Sequence, residues 1–200
     1  GKVSLTLYPA TYIADLCLVT DTLAADAATV RVLARLVGET DGAELEMSLY
    51  ADGAVVPAVT GMTSVAQADV VCSLTVPDPQ PWWPRGYGEP HLYRLVARLR
   101  RGGCTLHERT RYVGLKTVRI AGALPNGRPT FQLRVNGSDI YVRGGNLMPI
   151  DAIRGLATAE AYERLLQLAL NANMNLIRLW GGGLPEDEGF LDRCDALGLM

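Results

Sequence analysis

The hydrophobic period of the chain changes once, near residue 120, and this change separates two kinds of structure. Up to that point apolar and polar residues alternate with the period of two that β-strands have. Beyond it, a hairpin pattern is followed by two short apolar runs that alternate with two helical patterns. We therefore predict a mainly β protein, with an all-β domain in residues 1–120 and a β-hairpin plus a β-α-β-α segment in residues 121–200.

The all-β part contains strand-like runs whose apolar residues share one face. Three of these faces carry Val30, Val32, Ala34 and Leu36; Leu45, Met47 and Leu49; and Tyr93, Leu95, Ala97 and Leu99. Glycine-containing turn signals at residues 40–42, 51–53 and 101–103 separate the runs. About seven strands with turns at nearly regular spacing predict an antiparallel β-sandwich of immunoglobulin-like type.

One segment of this part, residues 77–90, is rich in proline and aromatic residues. Proline removes hydrogen-bond donors from a sheet, so the segment is predicted to be an extended loop. We expect Trp82, Trp83 and Tyr87 to fold back and close one end of the sandwich. The alternative is that these rings bind a ligand, such as the apolar face of a sugar, or contact another domain.

Residues 131–142 have the pattern of a β-hairpin around Asn136-Gly137. This dipeptide tolerates the positive φ angles of a type I′ turn. The predicted register pairs Val135 with Ser138, Arg134 with Asp139, Leu133 with Ile140, and Phe131 with Val142.

The rest of the second part predicts the opening of a (β/α)8 barrel. A strand over residues 140–145 ends in Gly-Gly-Asn, and a second, buried strand covers residues 175–180. The intervening helix is capped by Thr158 and has Tyr162, Leu165, Leu166 and Ala169 on its apolar face. The second helix carries Phe190, Leu191, Cys194 and Leu197 on its core face and ends at Gly198. A complete barrel needs about 250 residues, so this barrel would be incomplete.

Candidate substrate-contacting residues follow the two barrel strands. In such folds, ligands bind at the carboxyl ends of parallel strands. Arg178 is a charge within an apolar strand and is expected either to pair with a carboxylate or to reach solvent. Trp180 precedes three glycines and could stack on a sugar or pack internally. Asn146 and Asp151 are candidates for binding substrate hydroxyls, although Asn146 could equally cap its turn.

Composition excludes several classes of function. The net charge of −2 argues against nucleic-acid binding, and no apolar run approaches the 18 residues of a membrane span. The four cysteines have no metal-ligand spacing and are expected to be reduced, and Gly181-Gly-Gly183 lacks the lysine of a phosphate-binding loop. We therefore predict no metal and no cofactor. The N-terminus lacks signal-peptide features, which favours a cytoplasmic location.

No complete catalytic set is predicted within the chain. Glycoside hydrolysis needs two facing carboxylates, and Asp151 alone lacks a structural explanation. Asp139 belongs to the hairpin, residues 186–188 begin a helix, and Asp195 lies on a helix surface.

Several motifs, in order along nearly the whole chain, resemble glycoside hydrolase family 2. Residues 135–146, Val-Asn-Gly-Ser-Asp-Ile-Tyr-Val-Arg-Gly-Gly-Asn, resemble the opening of its catalytic barrel. Residues 173–183, Asn-Met-Asn-Leu-Ile-Arg-Leu-Trp-Gly-Gly-Gly, are similar to its second barrel strand. Residues 82–90, Trp-Trp-Pro-Arg-Gly-Tyr-Gly-Glu-Pro, and residues 114–120 resemble its immunoglobulin-like domain and the exit from that domain.

The resemblance implies a retaining exo-glycosidase that hydrolyses terminal β-linked sugars. The Trp-Gly-Gly-Gly form points to the branch that acts on β-mannosides, although Leu147 and Pro185 stand where that branch usually has Trp and Tyr. The family's two catalytic glutamates would lie beyond Met200, and its N-terminal β domain before Gly1. Arg178 would support the nucleophile, Trp180 would line the sugar subsite and Asn146 would lie at the barrel mouth.

The expected partners are therefore a carbohydrate substrate and the remainder of the same polypeptide, and the 200 residues alone are expected to be inactive. Two alternatives remain open. One is another activity of the family, namely β-galactosidase, β-glucuronidase or exo-glucosaminidase. The other is a non-catalytic β-sandwich interaction module.

Overall fold

The structure is a computed structural model that describes residues 5–123, 126–151, 153, 156–183, 186 and 188–200. The chain divides into two compact units. The sandwich unit comprises Thr6–Pro81 and His91–Thr117. The strand–helix unit comprises Trp82–Pro90 and Val118–Met200, together with Leu5.

The sandwich unit consists of two antiparallel sheets, which confirms the predicted architecture. One sheet has the strand order β1-β2-β5 and the other has the order β4-β3-β6-β7. The strands are β1 (Tyr12–Leu23), β2 (Ala27–Val37), β3 (Ala43–Tyr50), β4 (Val59–Ser64), β5 (Asp69–Pro77), β6 (Tyr93–Arg101) and β7 (Cys104–Val113). A three-plus-four arrangement of this kind is typical of immunoglobulin-like sandwiches.

The apolar faces predicted for β2, β3 and β6 all point into one core. Each of the eleven predicted residues on these three strands is buried, with at most 4% of its surface exposed. They pack with residues of β1 and β5 in a single cluster that is contributed by both sheets. The period of two thus determines this core, because alternate residues of a strand point to opposite faces.

One edge of the sandwich is closed by contacts between β1 and β7, which belong to different sheets. The backbone N–H of Ile13 donates to His107 Nδ1 over 3.3 Å. Arg109 Nη1 donates to the carbonyl oxygen of Ala14 over 2.8 Å. The register of β1 is irregular between Ile13 and Asp15, where these contacts are made.

The strand–helix unit has an antiparallel part and a parallel part. The antiparallel sheet has the order β10-β9-β8, and β11 pairs with β12 in parallel. The elements are β8 (Val118–Ala123), β9 (Pro129–Val135), β10 (Ser138–Ile140), β11 (Gly144–Leu147), α1 (Ala159–Asn171), β12 (Leu176–Leu179) and α2 (Glu188–Leu197). The order β11-α1-β12-α2 is the predicted β-α-β-α segment.

The β9–β10 hairpin has the predicted turn and most of the predicted register. Asn136 and Gly137 have φ angles of 49° and 81°, as a type I′ turn requires. The pairing runs from Val135 and Ser138 to Leu133 and Ile140, where it ends. The predicted pairing of Phe131 with Val142 is wrong, because β10 stops at Ile140 and both side chains are exposed.

The first strand of the parallel pair differs from the prediction. The sequence predicted one strand over residues 140–145, whereas the structure has β10 ending at Ile140 and β11 starting at Gly144. Residues 141–143 lie between them without strand structure. Asn146 lies within β11, and Leu147, which was predicted to begin the following loop, is the last residue of that strand.

Both helices were predicted correctly in their main features. Thr158 Oγ1 accepts a hydrogen bond from the backbone N–H of Ala161, so Thr158 caps α1 as expected. Phe190 and Cys194 of α2 are buried, and Gly198 ends that helix with a φ of 70°. Leu191 was expected in the core but is 46% exposed, and the buried leucine at this end is Leu199.

The aromatic loop, residues 82–90, belongs to the strand–helix unit and not to the sandwich whose strands flank it. Trp82 is buried, and its Nε1 donates to the carbonyl oxygen of Asp195. Arg85 N donates to the carbonyl oxygen of Gly198 over 2.8 Å. The expectation that these rings close one end of the sandwich is therefore wrong. The loop instead forms hydrogen bonds with the C-terminal end of α2.

The four cysteines are free thiols, as expected. Cys17 and Cys104 are exposed, Cys72 is half-buried and Cys194 is buried. Among the described residues, no cluster of three or more His, Cys, Asp or Glu side chains is arranged to hold a metal. Neither α1 nor α2 has the length and apolar character needed to span a membrane, and no other described segment forms such a helix.

Candidate functional site

The carboxyl ends of β11 and β12 bring two of the predicted site residues together. The parallel register places Asn146 opposite Arg178. Arg178 Nη1 donates to Asn146 Oδ1 over 3.1 Å, and both residues are exposed. The bond leaves the guanidinium with further donors, since arginine carries five N–H groups. The pair can therefore bind an oxygen-rich ligand while holding its own geometry.

Arg178 lies on the face of β12 that points away from the helices. Its neighbour Ile177, on the other face, packs against the core that α1 and α2 share. Leu176, two residues before Arg178, packs instead against the core of the β9–β10 hairpin. The strand was expected to be buried along its length, but Arg178 and Leu179 are exposed. The guanidinium therefore needs no buried carboxylate partner to compensate its charge.

Trp180 stands at the end of β12 with its indole against glycine backbone. Its backbone N–H donates to the carbonyl oxygen of Leu147 over 3.1 Å, which continues the β11–β12 ladder. A Cβ atom placed on Gly182 would overlap the Trp180 ring, so glycine is required for this close approach. The side chain remains 44% exposed. A ring supported on one side and open on the other is suited to stacking on an apolar sugar face.

Asp151 is engaged locally. Its Oδ1 accepts a hydrogen bond from the backbone N–H of Ile153 over 2.8 Å. This is a short-range turn contact of the kind aspartate commonly makes. The structure thus brings Asn146, Arg178 and Trp180 to the ends of two neighbouring strands and gives Asp151 a turn-forming contact in the loop beyond β11.

Leu147 and Pro185 are the two positions at which the resemblance to the β-mannoside-acting branch was expected to be weaker. Leu147 is buried in the core beneath the two helices. It therefore contributes to packing at the end of β11. Pro185 lies outside the described residues.

Asn175 is an important residue of this site that the sequence analysis missed. It is completely buried, and its side-chain Oδ1 accepts from Arg143 N while its Nδ2 donates to the carbonyl oxygen of Tyr141. It was treated only as the start of an apolar strand. A polar residue at the start of such a strand was the available signal, but its partners lie in a break between strands that the sequence did not predict.

A cleft of about 830 Å³ extends along the same face as Arg178. Its lining is largely apolar, and it includes Phe131, Ile140, Tyr141, Val142, Leu176 and Arg178. Phe131 is 77% exposed and Tyr141 is 73% exposed. Aromatic and aliphatic side chains exposed together in one cleft indicate a surface that another molecule or segment covers.

Two of the carboxylates considered as catalytic candidates, Asp139 and Glu186, form hydrogen bonds with neighbouring side chains. Arg134 Nε donates to Asp139 Oδ1 over 2.7 Å, and this bond lowers the pKa of Asp139 below its usual value. Glu186 accepts a hydrogen bond from the hydroxyl of Tyr162. Asp187 lies outside the described residues. The described site can thus bind and orient a polar ligand, but it does not explain bond cleavage.

Sequence comparison relates the chain to known proteins. The family model described as "Glycosyl hydrolases family 2" matches residues 11–116. Beta-mannosidase B of Aspergillus terreus is 33% identical over 190 residues, which cover 94% of this chain and 22% of that protein. Beta-mannosidase B of Aspergillus oryzae is 34% identical over 134 residues, which cover 66% of this chain and 16% of that protein.

Solved structures share the fold. The beta-D-mannosidase from Dictyoglomus thermophilum matches 96% of this chain with a TM-score of 0.84 and 24% sequence identity, over 24% of its own length. A beta-glucuronidase from Bifidobacterium dentium matches 96% of this chain with a TM-score of 0.78 and 20% identity, over 30% of its length. The chain therefore spans less than a third of each of these relatives.

Proposed function

Because the chain belongs to glycosyl hydrolases family 2, we propose that it forms part of a retaining exo-glycosidase that hydrolyses terminal β-mannosides. The observation that carries this proposal is the similarity to Beta-mannosidase B of Aspergillus terreus, which extends over 94% of the chain. It includes both the sandwich unit and the strand–helix unit. The proposal is supported by the position of Asn146, Arg178 and Trp180 at the ends of two parallel strands, where substrates bind in barrel enzymes.

The three residues have separate roles in this proposal. The exposed ring of Trp180 stacks on the apolar face of the terminal sugar. The Arg178 guanidinium holds and orients a carboxylate of the active site, because its planar fork fits carboxylate oxygens. Asn146 accepts one N–H of that guanidinium and so fixes its direction, and its own amide group remains able to donate to a substrate hydroxyl.

The chemistry requires two further groups. A retaining glycosidase uses one carboxylate as nucleophile and a second carboxyl group as acid and then base, about 5–5.5 Å apart. The acid protonates the leaving-group oxygen while the nucleophile forms a glycosyl–enzyme bond that water later hydrolyses. We propose that both are glutamates located after Met200 in a longer polypeptide, and that this chain supplies the substrate-orienting part of the site.

The same proposal gives a function to the apolar cleft. Further strands and helices of the polypeptide would pack on Phe131, Tyr141 and Val142 and complete an eightfold barrel. Arg178 and Trp180 would then lie at the mouth of that barrel. The remainder of the polypeptide is thus the structural partner that we propose for the strand–helix unit.

The test is a comparison of substrates with the full-length protein that contains this chain. Initial rates are measured with the aryl glycosides of β-mannose, β-galactose, β-glucuronic acid and β-glucosamine. The proposal expects the β-mannoside to be hydrolysed fastest and the first product to retain the β configuration in a proton NMR time course. Absence of hydrolysis of all four glycosides would contradict it, as would inversion at the anomeric carbon.

A second candidate function is another activity of the same family. The similarity in fold to a solved beta-glucuronidase and to a solved structure described as a putative beta-galactosidase favours it. The four-substrate comparison distinguishes these activities directly. A non-catalytic sandwich module is less well supported, because the similarity to the A. terreus enzyme also covers the strand–helix unit.

A further inference from the structure

Residues 141–143, between β10 and β11, lack strand structure. The backbone N–H and C=O groups of the first and last residue, Tyr141 and Arg143, nevertheless all form hydrogen bonds. Tyr141 N donates to the hydroxyl of Tyr87 over 2.7 Å, and its carbonyl oxygen accepts from Asn175 Nδ2 over 3.0 Å. Arg143 N donates to Asn175 Oδ1 over 2.9 Å. The Arg143 carbonyl oxygen accepts from the backbone N–H groups of Asn175 and Leu176. Asn175 therefore takes part in most of these bonds.

The Asn175 side chain suits this position because it can accept one hydrogen bond and donate another. Its surface is completely buried, and one end of its carboxamide accepts from an N–H while the other donates to a carbonyl. A leucine of similar size would leave both backbone groups without a partner, and an aspartate would lose the donor. A fully buried carboxamide without hydrogen-bond partners is costly, so the burial of Asn175 strongly constrains the segment that supplies its partners.

Residue 143 lies directly before the first paired residue of the parallel strands. β11 begins at the next residue, where Gly144 is paired with Leu176, and Asn146 is then paired with Arg178. A shift of one residue would move each β11 side chain to the other face of the sheet. Asn146 would then point towards the helices and could not meet Arg178.

We propose that Asn175 is a positioning residue that fixes the β11–β12 register and thereby holds Asn146 against Arg178. The proposal rests on the function proposed above in assigning catalytic consequences to that pair. The dependence of the register on Asn175 is independent of that function. Asn175 itself is buried and does not contact substrate.

The test compares Asn175→Asp with Asn136→Asp in the full-length protein. Asn136 is a matched control, because its Nδ2 also donates to a backbone carbonyl, that of Trp82, over 2.9 Å within the same unit. The first readout is hydrogen exchange of the Trp180 amide, which bonds to Leu147 at the far end of the pair. We expect its protection to fall about tenfold more in Asn175→Asp than in Asn136→Asp, since loss of a buried bond frees the register. Equal losses of protection in the two variants would overturn the proposal.

The second readout is kinetic. Asn175→Asp is expected to lower kcat for the aryl β-mannoside about tenfold, with a smaller change in KM, because the orienting pair is displaced. In an Asn146→Ala background the same substitution should have little further effect, since the two changes act through one pair. Full additivity of the two losses would contradict positioning through Asn146. If the unmodified protein hydrolyses no glycoside, the proposed function fails while the exchange measurement still tests the register.

Exchange in the unmodified protein provides the test if Asn175→Asp does not fold. Under increasing denaturant, the Arg143 and Trp180 amides should exchange through one common opening, because release of Asn175 frees both ends of β11. Exchange of Trp180 at lower denaturant than Arg143, through a separate opening, would overturn the proposal.

Discussion

Trp82 Nε1 donates to the carbonyl oxygen of Asp195 over 2.7 Å, across 113 positions of sequence. The loop that carries Trp82 connects β5 and β6 of the sandwich, yet its residues belong to the strand–helix unit. The indole is buried there with 1% of its surface exposed. A side chain that is both fully buried and hydrogen-bonded contributes packing and a satisfied polar group at once.

We therefore expect Trp82→Phe to destabilise the strand–helix unit. The substitution removes the donor to Asp195 and should cost about 1–3 kcal/mol of its free energy of unfolding. Urea unfolding followed by circular dichroism measures this loss. Trp83→Phe is the matched control, and a smaller loss is expected there because Trp83 is only half-buried. Equal losses in the two variants would show that the Asp195 bond is not the source of the effect.

The support of Trp180 by glycine backbone gives a second prediction. Gly182→Ala places a methyl group where the indole lies and should displace the ring. KM for the aryl β-mannoside should rise about tenfold in the full-length protein, because displacement of the ring removes apolar contact area with the sugar. Gly181→Ala is the control, since a Cβ atom there meets no atom within 4 Å outside its two chain neighbours, Trp180 and Gly182. A similar rise in both variants would argue against a stacking role for Trp180.

The contact between His107 and β1 predicts how the stability of the sandwich depends on pH. Burial lowers the pKa of His107 below its usual 6.5, and the neighbouring Arg109 charge lowers it further. The unfolded chain therefore binds a proton more readily than the folded chain between the two pKa values. The free energy of unfolding should keep its full value above pH 6.5. It should fall as the pH is lowered from 6.5 through the pKa of His107 in the folded protein.

This pH dependence is checked by urea unfolding at a series of pH values between 4 and 8. His107→Gln should reduce the slope of stability against pH near 6, because the titrating group is removed. His91→Gln changes the only other histidine of the chain and should leave most of that slope in place. An unchanged slope in His107→Gln would assign the dependence to other groups.

The burial of Cys194 predicts a difference in reactivity among the thiols. Burial, with a smaller effect of the Asp195 charge, raises the pKa of Cys194 to about 11. The thiolate is the reactive form, so Cys194 should be nearly inert at pH 8 while α2 stays packed. Cys17 and Cys104 are exposed and should react with a thiol reagent faster than Cys194 does. Peptide mapping after timed alkylation measures each rate, and rapid labelling of Cys194 in the folded protein would contradict the packing of α2.

Local sequence patterns determined much of this fold, because they reflect contacts between neighbouring residues. The alternation in β2 predicted a core strand, and Asn136-Gly137 predicted its turn, since both depend on backbone geometry over a few positions. The helix cap at Thr158 likewise depends on a contact with a residue only three positions away, Ala161. These features could be read without knowledge of the rest of the structure.

The features that the sequence did not reveal depend on partners distant in the chain. Trp82 was assigned to the sandwich because its flanking strands lie there, whereas its acceptor is 113 residues away. The break between β10 and β11 was missed because its hydrogen-bond partner is Asn175, on the far side of a helix. At the site, Arg178 and Trp180 could be chosen from strand ends alone, but the direct bond between Arg178 and Asn146 required the register of the parallel pair.

The bond between Arg178 and Asn146 gives the last prediction, which separates stability from activity. Both side chains are exposed, so the bond should contribute little to the free energy of unfolding. Arg178→Lys keeps the positive charge but loses the planar fork that meets Asn146 and a carboxylate together. We expect kcat/KM of the full-length protein to fall about 100-fold with the melting temperature nearly unchanged, because misplacing an orienting group has consequences of that order.

Arg134→Lys is the matched control for this substitution. Arg134 also forms an exposed charged contact within the strand–helix unit, with Asp139, but it lies on the hairpin. Its replacement should leave kcat/KM within about twofold of the original value, since exposed ion pairs contribute little. If Arg178→Lys lowers the melting temperature and kcat/KM together, Arg178 acts on the stability of the unit. If kcat/KM alone falls, the guanidinium orients the reacting groups, and Asn146→Ala should then reproduce part of the loss.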